Sequence, residues 1–172
     1  MPHTLQDLLL RHEQDIAERY VQAMQASSKH YSMTPAEEIE RNVHRSLQLL
    51  GNLHRAPASE EARAYIRNLC EQRVPQGFRL GEVMNAIFLL GDVVIPLIRE
   101  ESSGDREAER QAEDDLRIGL NRLALLWSEG YYELQEELMA RKELAMLQLS
   151  TPVTQMWEGI LTLPLIGDVD DR

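Results

Sequence analysis

The residues able to do chemistry are few and scattered. The histidines of this 172-residue chain are His3, His12, His30, His44 and His54, and no two of them have the spacing of a metal site. His44 and His54 fall on nearly the same side of one helix, but their separation is about 15 Å at 1.5 Å per residue, too far for one ion. His30 stands beside Tyr31 in an expected loop with no second ligand near it. Axial haem ligation calls for a histidine on the helix that lines the pocket, and the apolar segment 80–99 has none. His12, on the apolar face of the first helix, and His44, one residue after Val43 on the second, read as satisfied or half-exposed side chains. Cys70 follows Leu69 on an apolar face, where a thiol behaves as a small hydrophobe. A lone cysteine also precludes an internal disulfide and fits a reducing compartment. There is no Gly-rich phosphate loop, no supported carboxylate pair and no nucleophile with a base. The expectation is a protein that is not an enzyme and needs no cofactor or metal.

Charge narrows the partners. The formal net charge is -11, and such a surface repels phosphate backbones, so a nucleic-acid partner is not expected. Asp105 to Asp115 is the densest acidic run. It reads as a solvated helix start, with a docking site for a basic partner as the sharper alternative. The apolar stretch Ile87 to Ile98 is interrupted by Gly91, Asp92 and Pro96 and falls short of a membrane span. The N-terminus lacks the basic-then-apolar order of a signal peptide. A cytoplasmic protein without a membrane segment is expected.

The elements that must position these residues are helical. Hydrophobic residues make up 43% of the chain and aromatics 5%, so the apolar content is mostly Leu, Ile, Val, Ala and Met. Thr4 and Asp7 open a helix over 5–26, whose Leu5, Leu8, Leu9, Ile16, Tyr20 and Met24 share one face. Thr34 as N-cap, Pro35 in the first turn and Glu37 predict a capping box for a second helix. A third begins at Ser59 with Ala62, Ile66, Leu69 and Cys70 inward. Val74 to Gly77 is a turn. The segment 80–99 is apolar on nearly all sides, as in the middle of a core, and Pro96 should kink its last turn. A buried strand over 86–98 is the alternative, but the flanks keep the helical period. From Arg106 a long helix reaches about Gln148 and stops before Ser150-Thr151-Pro152. Thr154 to Trp157 and Ile160 onward then read as two short strands joined by Glu158-Gly159.

At this C-terminal end the residues carry a resemblance. Leu149-Ser150-Thr151-Pro152-Val153, Trp157-Glu158-Gly159-Ile160-Leu161 and Leu163-Pro164-Leu165-Ile166-Gly167, followed by Asp170, resemble the entry into a STAS domain of the RsbR-type stressosome proteins. The order upstream is similar too, with a helical module and a long linking helix. The resemblance implies an all-α, globin-like bundle without haem at 1–130, a linking helix at 131–150, and the N-terminal fragment of a STAS domain at 151–172. It implies a signalling protein, a stress sensor and kinase co-antagonist, that forms a homodimer. Full-length relatives assemble with a small STAS scaffold protein and hold a serine/threonine kinase until stress releases it. Relatives can carry threonines in the turn after Gly167, where this chain has Asp168 and Asp171. These positions are either stand-ins for phospho-acceptors, with less charge than phosphate, or a solvated acidic turn.

Two sets of side chains are candidates for the functional surface. Leu120, Leu123, Trp127, Tyr131, Leu134 and Leu138 alternate steps of three and four. Up to about Trp127 this seam should pack within the chain, and from Tyr131 to Leu147 against a second copy, because an isolated amphipathic helix is marginal in water. Met84, Phe88, Val94 and Trp127 are the candidate lining of an apolar pocket, which would serve the alternative reading of a ligand- or haem-binding globin-like sensor. A helical hydrolase or transferase is a third and weaker reading.

Overall fold

Thr4 opens the bundle with a reciprocal cap. Its hydroxyl accepts from the Asp7 amide at 3.3 Å, and the Asp7 carboxylate accepts from the Thr4 amide at 3.2 Å. The structure, a computed structural model, describes residues 4–102, 104–149, 154–157 and 160–162. The expected helix over 5–26 is two helices, α1 (Leu5–Arg11) and α2 (Glu13–Ser27). His12 breaks them apart with φ -101° and ψ 13°, in the bridge region, and its ring Nε2 lies 2.8 Å from the Glu101 carboxylate. The apolar face survives the break, since Leu5, Leu9, Ile16 and Met24 are all buried.

The next correction is a helix where a loop was expected. Ser28 caps α3 (Lys29–Met33) by accepting from the Tyr31 amide at 3.3 Å. Thr34 is therefore the end of α3, its hydroxyl donating to the His30 carbonyl at 3.0 Å. With that hydroxyl committed backwards, the Thr34–Glu37 box does not form, and α4 (Ala36–Leu53) starts after Pro35 without a side-chain cap. Ser59 does cap α5 (Glu60–Arg73), accepting from the Ala62 amide at 3.2 Å. Gly77 then turns the chain at φ +89°, a conformation that favours glycine.

The central helix is α6 (Leu80–Ser102), which continues through Pro96 to Ser102. By length and composition it is long and apolar enough to cross a membrane. The core helix of a bundle meets the same criterion, and Val83, Ile87, Leu90, Val94, Leu97 and Ile98 are all buried here. Helix α2 packs on α3, α4 and α6, and α1 on α4.

The last helix, α7 (Arg106–Leu149), is one uninterrupted element. Small residues let it approach its neighbours closely. A Cβ added at Gly119 would lie 2.8 Å from Leu50 Cδ1 and 3.3 Å from the Leu50 carbonyl oxygen. One added at Gly91 of α6 would lie 2.9 Å from Leu120 Cδ1. Gly130 faces Cys70 and Ile66 of α5. Arg122 adds a polar tie by donating to the carbonyls of Leu53 and Ala56 just where α4 ends, satisfying acceptors that a helix C-terminus leaves open.

The chain divides into two compact units, Met1–Tyr131 and Tyr132–Arg172. The second holds the last turns of α7 and a two-stranded antiparallel ladder, β1 (Thr154–Trp157) with β2 (Ile160–Thr162). Thr154 stands opposite Thr162 and Gln155 opposite Leu161. His3, Asp168 and Asp171 lie outside the described residues.

Candidate functional site

Two features of the molecule are not accounted for by folding alone: the flank of α7 in the second unit, and a cavity inside the first. Along α7 the seam residues fare differently. In the first unit Leu120, Leu123 and Trp127 are buried, together with Leu116 and Leu126. Tyr131 is half-buried and its hydroxyl donates to the Phe78 carbonyl at 3.4 Å. In the second unit Leu134 is buried and Leu138 half-buried. Every residue from Met139 to Leu147 is then exposed. Met139 is 57% exposed, Leu144 58%, and Met146 and Leu147 70% each. Tyr132, Met139 and Met146 recur every seven residues, the interval that keeps side chains on one flank of a coiled-coil helix. Large apolar side chains in that pattern stand in water at a cost of about 1.5–3 kcal/mol each relative to burial.

The cavity measures about 60 Å³. Apolar side chains of α2, α4, α5 and α6, with Trp127 of α7, form most of its wall. The polar groups there are Tyr20, Tyr31, Asn42, Ser46 and Arg73. Of the four residues expected to line a pocket, Trp127 is in this wall. Phe88 is 55% exposed, since Ala86 and Ile87 carry the inward face at that turn of α6. Met84 is half-buried with its sulfur 3.9 Å from the Ser128 hydroxyl, and Val94 is buried away from this cavity. No histidine lines the wall, so an imidazole ligand for haem has no residue there.

Arg73 is the residue that sequence reasoning missed. Its side chain is 7% exposed, and Nη2 lies 2.8 Å from the Glu38 carboxylate, which is 35% exposed. The guanidinium also sits 4.7 Å from the centre of the Phe78 ring and 5.8 Å from that of Tyr31. A signal was present: Arg73 continues the stripe Ile66, Leu69, Cys70, and a cation on an apolar stripe must find a buried partner. Burial pushes the Tyr31 hydroxyl up to about 12, with Arg73 pulling the other way, and burial raises Tyr20 further still. Both phenols therefore keep their protons. Tyr20 uses its own to bond the Ala86 carbonyl at 3.0 Å.

The described histidines are fasteners between elements. His12 meets Glu101 at 2.8 Å, His30 meets Glu82 at 2.9 Å, His44 meets Glu13 at 2.8 Å, and His54 meets Asp115 at 3.7 Å. Among the described residues, no group of three His, Cys, Asp or Glu converges as a metal site would require.

A family model described as the RsbT co-antagonist protein rsbRD N-terminal domain matches residues 14–146. The chain belongs to this family. The match opens in α2 and closes near the end of α7, so it takes in the buried and the exposed stretches of that helix alike. No curated protein and no solved structure matches the chain. The family is a regulatory one, and membership places the chain, at family level, in stressosome-related signalling.

Proposed function

We propose that this chain is the dimerising, signal-relaying N-terminal module of an RsbR-type co-antagonist. The observation that carries the reading is the exposed apolar flank of α7 from Tyr132 to Leu147, within a helix that the family match follows to residue 146. A second copy laid along that flank buries both sets of side chains by the same contacts, as a two-fold interface requires. The globin-like bundle would then act as a head, and α7 as the rod that carries a rearrangement between paired heads into a STAS domain. Strands β1 and β2 would open that domain. In the cytoplasm the full-length protein would join a small STAS scaffold and a serine/threonine kinase and restrain the kinase until stress releases it. A signal reaches the rod only if the two dimer arrangements differ in affinity for what is sensed.

Sedimentation velocity on the chain tests this reading. A dimer at tens of micromolar that dissociates on dilution is expected. A monomer throughout that range would remove the interface and the relay with it.

A further inference from the structure

Of the three residues that recur every seven along the exposed flank of α7, two are methionines, Met139 and Met146. Methionine packs like leucine, but its thioether sulfur gives up an electron pair to mild oxidants, and the product is polar. Sulfur elsewhere in the described bundle is mostly shielded. Met24 of α2 is buried, Met84 of α6 is half-buried with its sulfur on the Ser128 hydroxyl, and the Cys70 thiol is buried. Met33, the last residue of α3, is 75% exposed. Among the described methionines, an oxidant reaching a single chain therefore meets Met33 in the first unit and Met139 and Met146 in the second.

We propose that Met139 and Met146 form an oxidation switch: conversion to sulfoxide separates the two copies, and reduction restores the pair. The switch rests on the proposed dimer and adds a regulation to the same surface. A lone pair of the sulfur attacks one oxygen of hydrogen peroxide, the O–O bond breaks and an S–O bond forms. One thioether and one peroxide give one sulfoxide and one water, with two electrons passing from sulfur to peroxide. The sulfoxide keeps the carbon stem but carries a strong acceptor, which is costly to bury without a donor opposite. Two sulfurs in one copy are four in a two-fold interface, so each oxidation counts twice. Pairing covers the sulfurs, so the oxidant acts on dissociated chains and withdraws them from the equilibrium. A thiol-dependent sulfoxide reductase reverses the step, as one sulfoxide and two thiols give one thioether, one disulfide and one water.

The test treats the chain with hydrogen peroxide, maps sulfoxide at each methionine by peptide mass spectrometry and follows association by sedimentation velocity. With both sulfurs oxidised, the dimer dissociation constant should rise about a thousandfold. Methionine sulfoxide reductase with dithiothreitol should return it to the starting value. The double variant Met139→Leu with Met146→Leu keeps the apolar surface and removes the sulfurs, so it should stay dimeric before and after peroxide. It also retains Cys70, so any effect of thiol oxidation would show in it. Met33→Leu should respond as the parent does. Oxidation at Met139 and Met146 should slow as protein concentration rises, while oxidation at Met33 keeps its rate. An untreated chain that is already monomeric would overturn the dimer and the switch together. A dimer that persists with both sulfurs oxidised, or a leucine variant that dissociates in peroxide as the parent does, would overturn the switch alone.

Discussion

The two ends of α7 have the same kind of sequence and opposite surroundings. Between Leu116 and Trp127 the helix lays a leucine or tryptophan against the bundle at each turn, and Leu116 and Leu123 are 1% and 2% exposed. Between Met139 and Leu147 it presents methionine and leucine again, at 57% to 70% exposure. Arg117, Asn121 and Arg122 stand between apolar residues in the first stretch, and Arg141, Lys142 and Glu143 in the second. Amphipathic periodicity therefore states that a helix wants a partner and is silent on where the partner comes from. Glycines mark the difference. Gly119 and Gly130 fall in the stretch that presses against α4 and α5, and from Tyr131 to Leu149 there is none. Close approach of a backbone needs a missing side chain, whereas two copies meeting through long side chains do not.

The largest expected effect breaks the buried end. Leu123→Ala should cost about 3 kcal/mol of unfolding free energy in urea, while Leu147→Ala should change the dilute monomer by less than about 0.5 kcal/mol. Comparable losses from the two would erase the contrast. At the exposed end, Met139→Ser with Met146→Ser should raise the dimer dissociation constant about ten-thousandfold in sedimentation, from about 1.5 kcal/mol of lost burial for each of the four methionines that the two copies lose. The urea midpoint of the diluted bundle should stay where it was.

A smaller effect attaches to the glycine contact. Gly119→Ala raises helix propensity by about 1 kcal/mol, but its Cβ meets the Leu50 carbonyl at 3.3 Å and the Leu50 side chain at 2.8 Å. Overpacking of this kind typically costs about 1–3 kcal/mol, so thermal melting should show a net loss near 1 kcal/mol. The smallest expected effect concerns pH. Burial pushes the Glu82 carboxyl up, but hydrogen bonds from the Arg79 amide and the side chains of His30 and Ser28 outweigh it, and the group ends below its usual 4.5. A depressed carboxyl adds stability above its unfolded value, and that increment fades as pH falls through the folded one. Acid titration of Glu82→Gln should therefore lack part of the loss that the parent chain shows below about pH 4.5.

Much of this was legible before any coordinates. The stripes of Leu5 to Met24, Ile39 to Leu53 and Leu116 to Leu134 predict helices and their inward faces, because burial follows the helical period closely. The errors are local and share a cause. His12 sits on an apolar stripe and gives no sign of the Glu101 contact that accompanies its break. Ser28 and Thr34 are both good caps, and sequence could not say that the first would start a helix for the second to end. The cavity lining was misassigned at Phe88 because α6 is apolar on most of its circumference, which hides the face that turns inward. Arg73 is hidden because a charged residue at the end of an apolar stripe ordinarily faces solvent. Its role depends on Glu38, 35 positions away, and no local pattern pairs them.

Hydrogen exchange along α7 tests the central claim most directly. Amides of residues 135–147 should be protected at high protein concentration and lose that protection on dilution, in step with dimer dissociation, while those of 116–127 stay protected at every concentration. Exchange in 135–147 that is equally fast, or equally slow, across the whole range would contradict pairing of this segment with a second copy.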